Sequence, residues 1–373
     1  MSGRRYAVGL GEADEGLAAL HQALNAGPPP EGANLALLYA SDSFAPIYAQ
    51  LVETLRQETG IETVVGTVGL GIVDGAGERF DRPCLSVMTM TLPEESFQAF
   101  GPLDSGVAAG PTGLAGWAGD EKVGLALVSA DPRTADLPSL LADLADGYQT
   151  YCLGGLTASR QGQVAAGDRV TREPGLCGVL LSQAIPMTVG LSQSCQPLTE
   201  AMAITAAEGQ VIKEIEGQPA LNALLDLVER DFDGDLQTAW PLLHPAFPVL
   251  GADSGDYLVR DFVGLDPDKG WLAVGELVEP GRRLLFCRRD AAAAKADLQR
   301  LIADTKARAA SPPRAAVYIS CVARGPQLFG ARGAEAAILR EGLGDIPITG
   351  FYAAGEIAGE RLYGYTGVLA LLS

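Results

Sequence analysis

Residues 315–320 read Ala-Ala-Val-Tyr-Ile-Ser, and a helical segment carries the chain from there to Pro-Ile-Thr-Gly-Phe-Tyr-Ala-Ala-Gly-Glu at 347–356. The same order occurs twice before. ALLYAS at 36–41 leads through a helix to TVVGTVGLG at 63–71, and LALVSA at 125–130 leads to TYCLGGLTA at 150–158. Gly66, Gly155 and Gly350 stand 30, 30 and 35 residues after Ala36, Leu125 and Ala315. One module written three times predicts three β-α-β units. Each is expected to close on a glycine-rich turn at a similar strand end, where backbone can approach a ligand closely.

The surrounding sequence extends this frame. Ile47, Leu51 and Leu55 mark one face of the first module's helix, which ends at Gly60; Leu137, Leu140, Leu141 and Leu144 mark the second. CLSVMTMTL from Cys84 and LCGVLLS from Leu176 follow as further strands, so residues 30–183 read as a doubled β-α-β-β unit. An opening helix places Leu17, Leu20, His21 and Leu24 on one face, and GPTGLAGWAGD (110–120) reads as a loop or short helix. After a break at Gln183–Pro186, AMAITAAEGQVIKEI (201–215) predicts a hairpin turned at Glu208–Gly209. Pro219 opens a helix with Leu221, Leu224, Leu225 and Val228 inward, and Asp290 caps an Ala-rich helix. The expected fold class is α/β (mixed α+β), with mixed, largely antiparallel sheets covered by helices. Two layered domains are expected, 1–186 and 187–373.

Composition narrows the function. With 373 residues, 47% hydrophobic and 20% charged, the chain has ample material for buried sheets. A net charge of −19 argues against nucleic acid, since phosphate binding needs a basic face. No apolar stretch reaches the ~18 residues of a membrane helix. MSGRRYAVGLGEADEG has no apolar core of signal-peptide length, so a cytoplasmic location is expected. The six cysteines include no CxxC pair, and Cys152, Cys177 and Cys287 sit in apolar strand-like runs as small core residues. GLGIVDG carries Asp74 where a dinucleotide loop needs its third glycine, and no GxxxxGK[ST], HExxH or GxSxG occurs. The residues favour binding over catalysis.

YISCVARG (318–325), PITGFYAAGEI (347–357) and GYTGVLAL (364–371), preceded by GDYLVRD (255–261), resemble the C-terminal domain of the FIST family. TVVGTVGLGIV (63–73), LGGLTAS (153–159) and GLSQSCQPL (190–198) resemble its N-terminal domain and junction. The resemblance covers nearly the whole chain in the same order. It implies a bacterial small-ligand sensory module, with amino acids or similar metabolites as ligands. Some relatives of that family are haem-bound nitric-oxide sensors, and one eukaryotic relative joins the domain to an F-box. No kinase, cyclase or chemotaxis region accompanies it here, so a separate signalling output protein is expected as partner, with a homo-oligomer also open.

Candidate site residues follow from these motifs. Arg324 can hold a carboxylate with its guanidinium fork, or be paired with Glu356 or another acid. Gly350, Phe351, Tyr352, Gly355 and Glu356 on the third glycine segment, with Tyr365 and Thr366 opening the last strand, are expected to surround a small ligand. Arg260 belongs either to an ion pair or to the rim. Cys195 and Cys321 stand in polar strand-end contexts and are expected to converge across the domain junction, near Arg324, whose charge would lower a thiol pKa. No cofactor is required by the sequence. Haem or a metal, with Cys195, Cys321, His21 and His244 as candidate ligands, is the alternative, as is a cysteine-dependent enzyme.

Overall fold

A computed structural model describes residues 4–104, 117, 123–249 and 256–373. The segment 110–120, apart from Trp117, lies outside the described residues. The chain forms two compact units: one holds the residues up to Ser192 together with Lys295–Ser373, the other is Gln193–Ala294. The first unit is therefore discontinuous in sequence.

The first copy of the module runs β1 (Tyr6–Glu12), α1 (Gly16–Ala26), β2 (Leu35–Ser41), α2 (Tyr48–Thr59), β3 (Thr63–Gly69), a hairpin β4 (Gly71–Asp74) and β5 (Gly77–Phe80), and β6 (Cys84–Met90). The second runs β7 (Phe97–Leu103), β8 (Val123–Ala130), α3 (Leu137–Tyr148), β9 (Tyr151–Leu156), a hairpin β10 (Ala165–Ala166) and β11 (Val170–Thr171), and β12 (Leu176–Ser182). The third opens with β13 (Met187–Gln193), after which the chain forms the second unit.

That unit carries β14 (Cys195–Pro197), β15 (Met202–Glu208), β16 (Val211–Ile215), β17 (Gln218–Pro219), α4 (Ala220–Phe232), α5 (Leu236–Ala239), β18 (Leu243–Pro248), β19 (Tyr257–Val259), β20 (Phe262–Asp266), β21 (Trp271–Val274) and β22 (Arg283–Arg289). Its nine strands make one sheet in the order β19-β18-β22-β15-β16-β21-β20, with β14 on β22 and β17 on β16. The β15–β16 hairpin turns where the sequence predicts, with Gly209 left-handed at φ 59. On α4, Leu221, Leu224, Leu227 and Val228 are buried, whereas Leu225 is exposed. The i, i+3, i+7 face excludes Leu225 and takes Leu227 in its place.

The chain returns through α6 (Ala291–Arg308), whose first turn is capped by Asp290 Oδ1 accepting from the Ala293 N–H at 2.7 Å. The third copy continues with β23 (Ala315–Cys321), α7 (Gly325–Phe329), α8 (Ala334–Leu343), β24 (Ile348–Ala353), a hairpin β25 (Glu356–Ala358) and β26 (Arg361–Tyr363), and β27 (Thr366–Leu372).

The three sheets of the first unit share one topology: β1-β6-β2-β3-β10-β11, β7-β12-β8-β9-β25-β26 and β13-β27-β23-β24-β4-β5. In each, the two strands of the β-α-β unit run parallel and the copy's last strand pairs antiparallel with the first of them. The outer hairpin of each sheet comes from another copy. Copy one completes the sheet of copy three, copy three that of copy two, and copy two that of copy one. This cyclic exchange ties the three modules into one unit. Leu37, Leu127 and Val317 line a shared apolar core between the inner faces, and Tyr39 packs on Phe351 at 5.0 Å. Strands buried on both faces read as continuous apolar runs, which is the pattern of β2, β8 and β23.

The glycines expected in turns lie instead inside β3, β9 and β24. A Cβ on Gly66 would fall 1.9 Å from the Leu38 carbonyl oxygen, on Gly154 1.9 Å from that of Val128, and on Gly350 1.6 Å from that of Tyr318. The repeat thus aligns Gly154, not Gly155, with Gly66 and Gly350. Close approach of parallel strands requires these glycines.

Candidate functional site

Parallel β-α-β units open their ligand clefts at the carboxyl ends of the strands. Leu70 after β3, Phe80 and Asp81 at the end of the β4–β5 hairpin, Arg160 beyond β9, and Val322 and Arg324 beyond β23 gather there with Pro326, Gln327 and Arg332. They line a cavity of about 300 Å³. All three copies contribute to it.

Its floor is a buried polar network found only in the third copy. Arg324 and Glu335 have no exposed surface, and Arg324 Nε donates to Glu335 Oε1 at 2.9 Å. Tyr318 Oη and Ser320 Oγ donate to the same oxygen at 2.6 and 2.8 Å. Tyr352 Oη (3.0 Å) and the Gly325 N–H (3.3 Å) donate to Oε2. The remaining Arg324 nitrogens reach Ser192 O and Oγ and Tyr318 Oη. Burial works against the guanidinium charge, but Tyr318 and Glu335 outweigh it and hold Arg324 protonated above its ordinary range. Burial pushes both tyrosines well above theirs. By register, Tyr318, Ser320 and Tyr352 correspond to Leu38, Ala40 and Val68 in copy one and to Val128, Ala130 and Leu156 in copy two. Those positions belong to purely apolar helix-side cores in the first two copies. A buried ion pair gives little net stability over an apolar isostere. The polar floor therefore carries something other than stability.

The walls are fixed from copies one and two. Glu78 Oε1 accepts from the Glu335 and Ala336 N–H groups at 2.8 and 3.0 Å, so the borrowed hairpin caps α8. Phe80 packs on Tyr352 with centroids 4.2 Å apart. Arg160 is held bidentately by Asp42, through Nε at 2.8 Å and Nη2 at 3.0 Å, and its Nη1 faces Asp81 at 3.6 Å. Arg332 is exposed and makes no ion pair or hydrogen bond with a described residue. Its loop is flanked by Gly330 and Gly333, both left-handed (φ 84 and 80).

A second cluster adjoins Arg324 in the chain. Glu356 is fully buried, with Thr366 N–H and Oγ1 donating to its Oε2 at 3.1 and 2.7 Å and the Cys321 thiol beside it. Burial pushes the Glu356 carboxyl up to about 8, against the pull of Thr366 and the Arg324 charge. The Cys321 thiol is pushed up by burial and then by Glu356, so the expected activation by Arg324 is overturned: apolar surroundings decide. The Tyr365 N–H reaches the Cys321 sulfur, and Tyr365 itself has left-handed backbone, φ 62. Gly355 accepts from the Leu156 N–H at 2.8 Å where β24 passes into the neighbouring sheet.

The other expected residues lie elsewhere. Cys195 and Arg260 belong to the second unit. Cys195 is buried beside Cys287, whose thiol is pushed up by their hydrogen bond and by burial. Arg260 Nε donates to Glu276 at 2.8 Å. His244, also in that unit, is buried with Nδ1 3.4 Å from Asp261. His21 leaves the buried face expected for it and bonds Glu58 at 2.6 Å on the surface, because Ala19, Leu20 and Ala23 fill the inner stripe of α1. Among the described residues no three His, Cys, Asp or Glu side chains come together as a metal would require. Sequence reasoning missed Glu335, Tyr318, Ser192, Arg160 and Arg332. Tyr318 and Ser320 were readable as the polar departures in an otherwise apolar repeat.

The sequence pattern of the FIST N domain matches residues 34–218 and that of the FIST C domain residues 220–359. An uncharacterized protein of Mycobacterium tuberculosis is 31% identical over 353 residues, 90% of each chain. Another, of Mycobacterium bovis, is 29% identical over 359 residues, 91% of each. FIST domains are in general sensory domains of signal transduction. With both domains matched in order along a threefold module, the chain belongs to the FIST family.

Proposed function

We propose that the protein is a small-ligand sensor whose ligand, a small anionic metabolite such as an amino acid or other carboxylate, enters the strand-end cavity of the first unit. One observation carries this reading: Arg332, a guanidinium with no protein partner, borders a cavity of about 300 Å³ whose other two arginines are already held by Asp42 and Glu335. That volume lies at the small end of ligand pockets. A carboxylate meets Arg332 in a fork, Asp81 offers a counter-charge, and Leu70, Phe80, Val322 and Pro326 take the apolar part. Arg324 serves as the fixed floor rather than as the closing hand.

Sensing requires that the ligand favour one conformation by a differential free energy. The cavity joins the hairpin of copy one, the loop after β9 and the α7–α8 loop, so a ligand that bridges them biases their arrangement. The signal then passes to a separate output protein. The test is a thermal-shift screen of amino acids and small carboxylates, followed by hydrogen exchange with the best binder. Protection confined to residues 78–82 and 325–335 is expected. Stabilisation by no compound in the screen, or protection elsewhere alone, refutes the reading.

A further inference from the structure

At the opposite, amino-terminal ends of the strands, Arg4, Arg5, Tyr6 and Arg314 border an open groove of about 390 Å³ together with Asp345 and Pro347. We propose that this groove is a second anion site, one that takes a phosphate monoester. The chain holds 46 acidic against 27 basic residues, a composition in which a surface arginine readily finds a carboxylate. Arg4 and Arg5 nevertheless make no ion pair among the described residues. Arg4 Nε donates to the Tyr6 carbonyl at 3.0 Å, which fixes that side chain along the groove. The backbone of the other two is pinned by the sheets: the Arg5 carbonyl accepts from the Thr91 N–H at 2.8 Å, and the Arg314 N–H donates to the Leu372 carbonyl at 2.7 Å. The positive charges converge, because Arg314 and Arg5 both act on the Tyr6 hydroxyl.

The chemistry of the groove selects among anions. One carboxylate is satisfied by one guanidinium fork, and Asp345 already supplies one on the rim. Three forks and a phenol suit the three terminal oxygens and double charge of a phosphate monoester. The Arg332 cavity, with two of its three arginines occupied by protein carboxylates, offers no such surplus.

The full chain is titrated by calorimetry and phosphorus NMR with inorganic phosphate and with phenyl phosphate. Both arms are repeated on Arg5→Gln, Arg314→Gln and, as a control at the other end of the strands, Arg332→Ala. Saturable binding is expected, with affinity falling about tenfold to a hundredfold in Arg5→Gln and Arg314→Gln and unchanged in Arg332→Ala. Tighter binding of the monoester marks an organic phosphate as the occupant, and equal binding marks free phosphate. If Arg314→Gln fails to fold, Arg5→Gln decides, since that side chain has no protein partner. Absence of saturable binding in both arms, or binding indifferent to Arg5→Gln, overturns the proposal.

Discussion

Arg324 Nε donates to Glu335 Oε1 at 2.9 Å with neither side chain exposed to solvent. Removing one partner leaves the other charge buried and unpaired, so Arg324→Ala and Glu335→Ala should each cost about 3–5 kcal/mol. Replacing both, as Arg324→Met with Glu335→Leu, should cost less than the two together, with a coupling of about 1–3 kcal/mol. Urea denaturation of the four proteins measures this. Additive losses would show that the two residues act independently.

Gly66, Gly154 and Gly350 each leave no room for a Cβ against the neighbouring strand's carbonyl oxygen. Alanine at any of the three should cost about 1–3 kcal/mol or more by forcing the parallel pair apart. Gly264→Ala is the contrasting case, since a Cβ there meets nothing within 4 Å, and it should stay within about 0.5 kcal/mol. Equal stability of all four variants would contradict the strand-packing role.

The threefold architecture was legible because a strand-helix-glycine spacing recurs, and apolar strands buried on both faces advertise themselves. The place of the glycines was not. A glycine demanded by a cross-strand carbonyl looks, in sequence, like a glycine demanded by a turn. Nor could sequence show that each hairpin completes another copy's sheet, since that pairing joins residues as distant as Val73 and Gly350. Arg324 was found, but its partner was assigned to Glu356 or an unnamed acid. Glu335 sits on a helix that only the folded chain brings against β23, and Ser192 arrives from the far side of the second unit's sequence.

Glu356 gives the fold a pH dependence of definite sign. Its carboxyl is pushed from 4.5 up to about 8, so the folded state favours the protonated form. The stability this lends is fully present below about 4.5 and is lost as pH rises through about 8. Each pH unit inside that window costs up to about 1.4 kcal/mol. Glu356→Gln keeps a neutral side chain in place and should flatten this part of the profile. Unfolding free energies of both proteins between pH 5 and pH 9 check it, and identical slopes would contradict it.

Binding at the strand-end cavity is tested most directly by calorimetric titration of wild type and Arg332→Ala with the carboxylate that most raises the melting temperature. Arg332 has no protein partner to lose, so the unliganded variant should unfold at the wild-type temperature. Its affinity should fall about tenfold to a hundredfold, the worth of one charge-assisted hydrogen-bonding group. Unchanged affinity, with the variant folded, would place the anion elsewhere and contradict the assignment of this cavity as the sensory site.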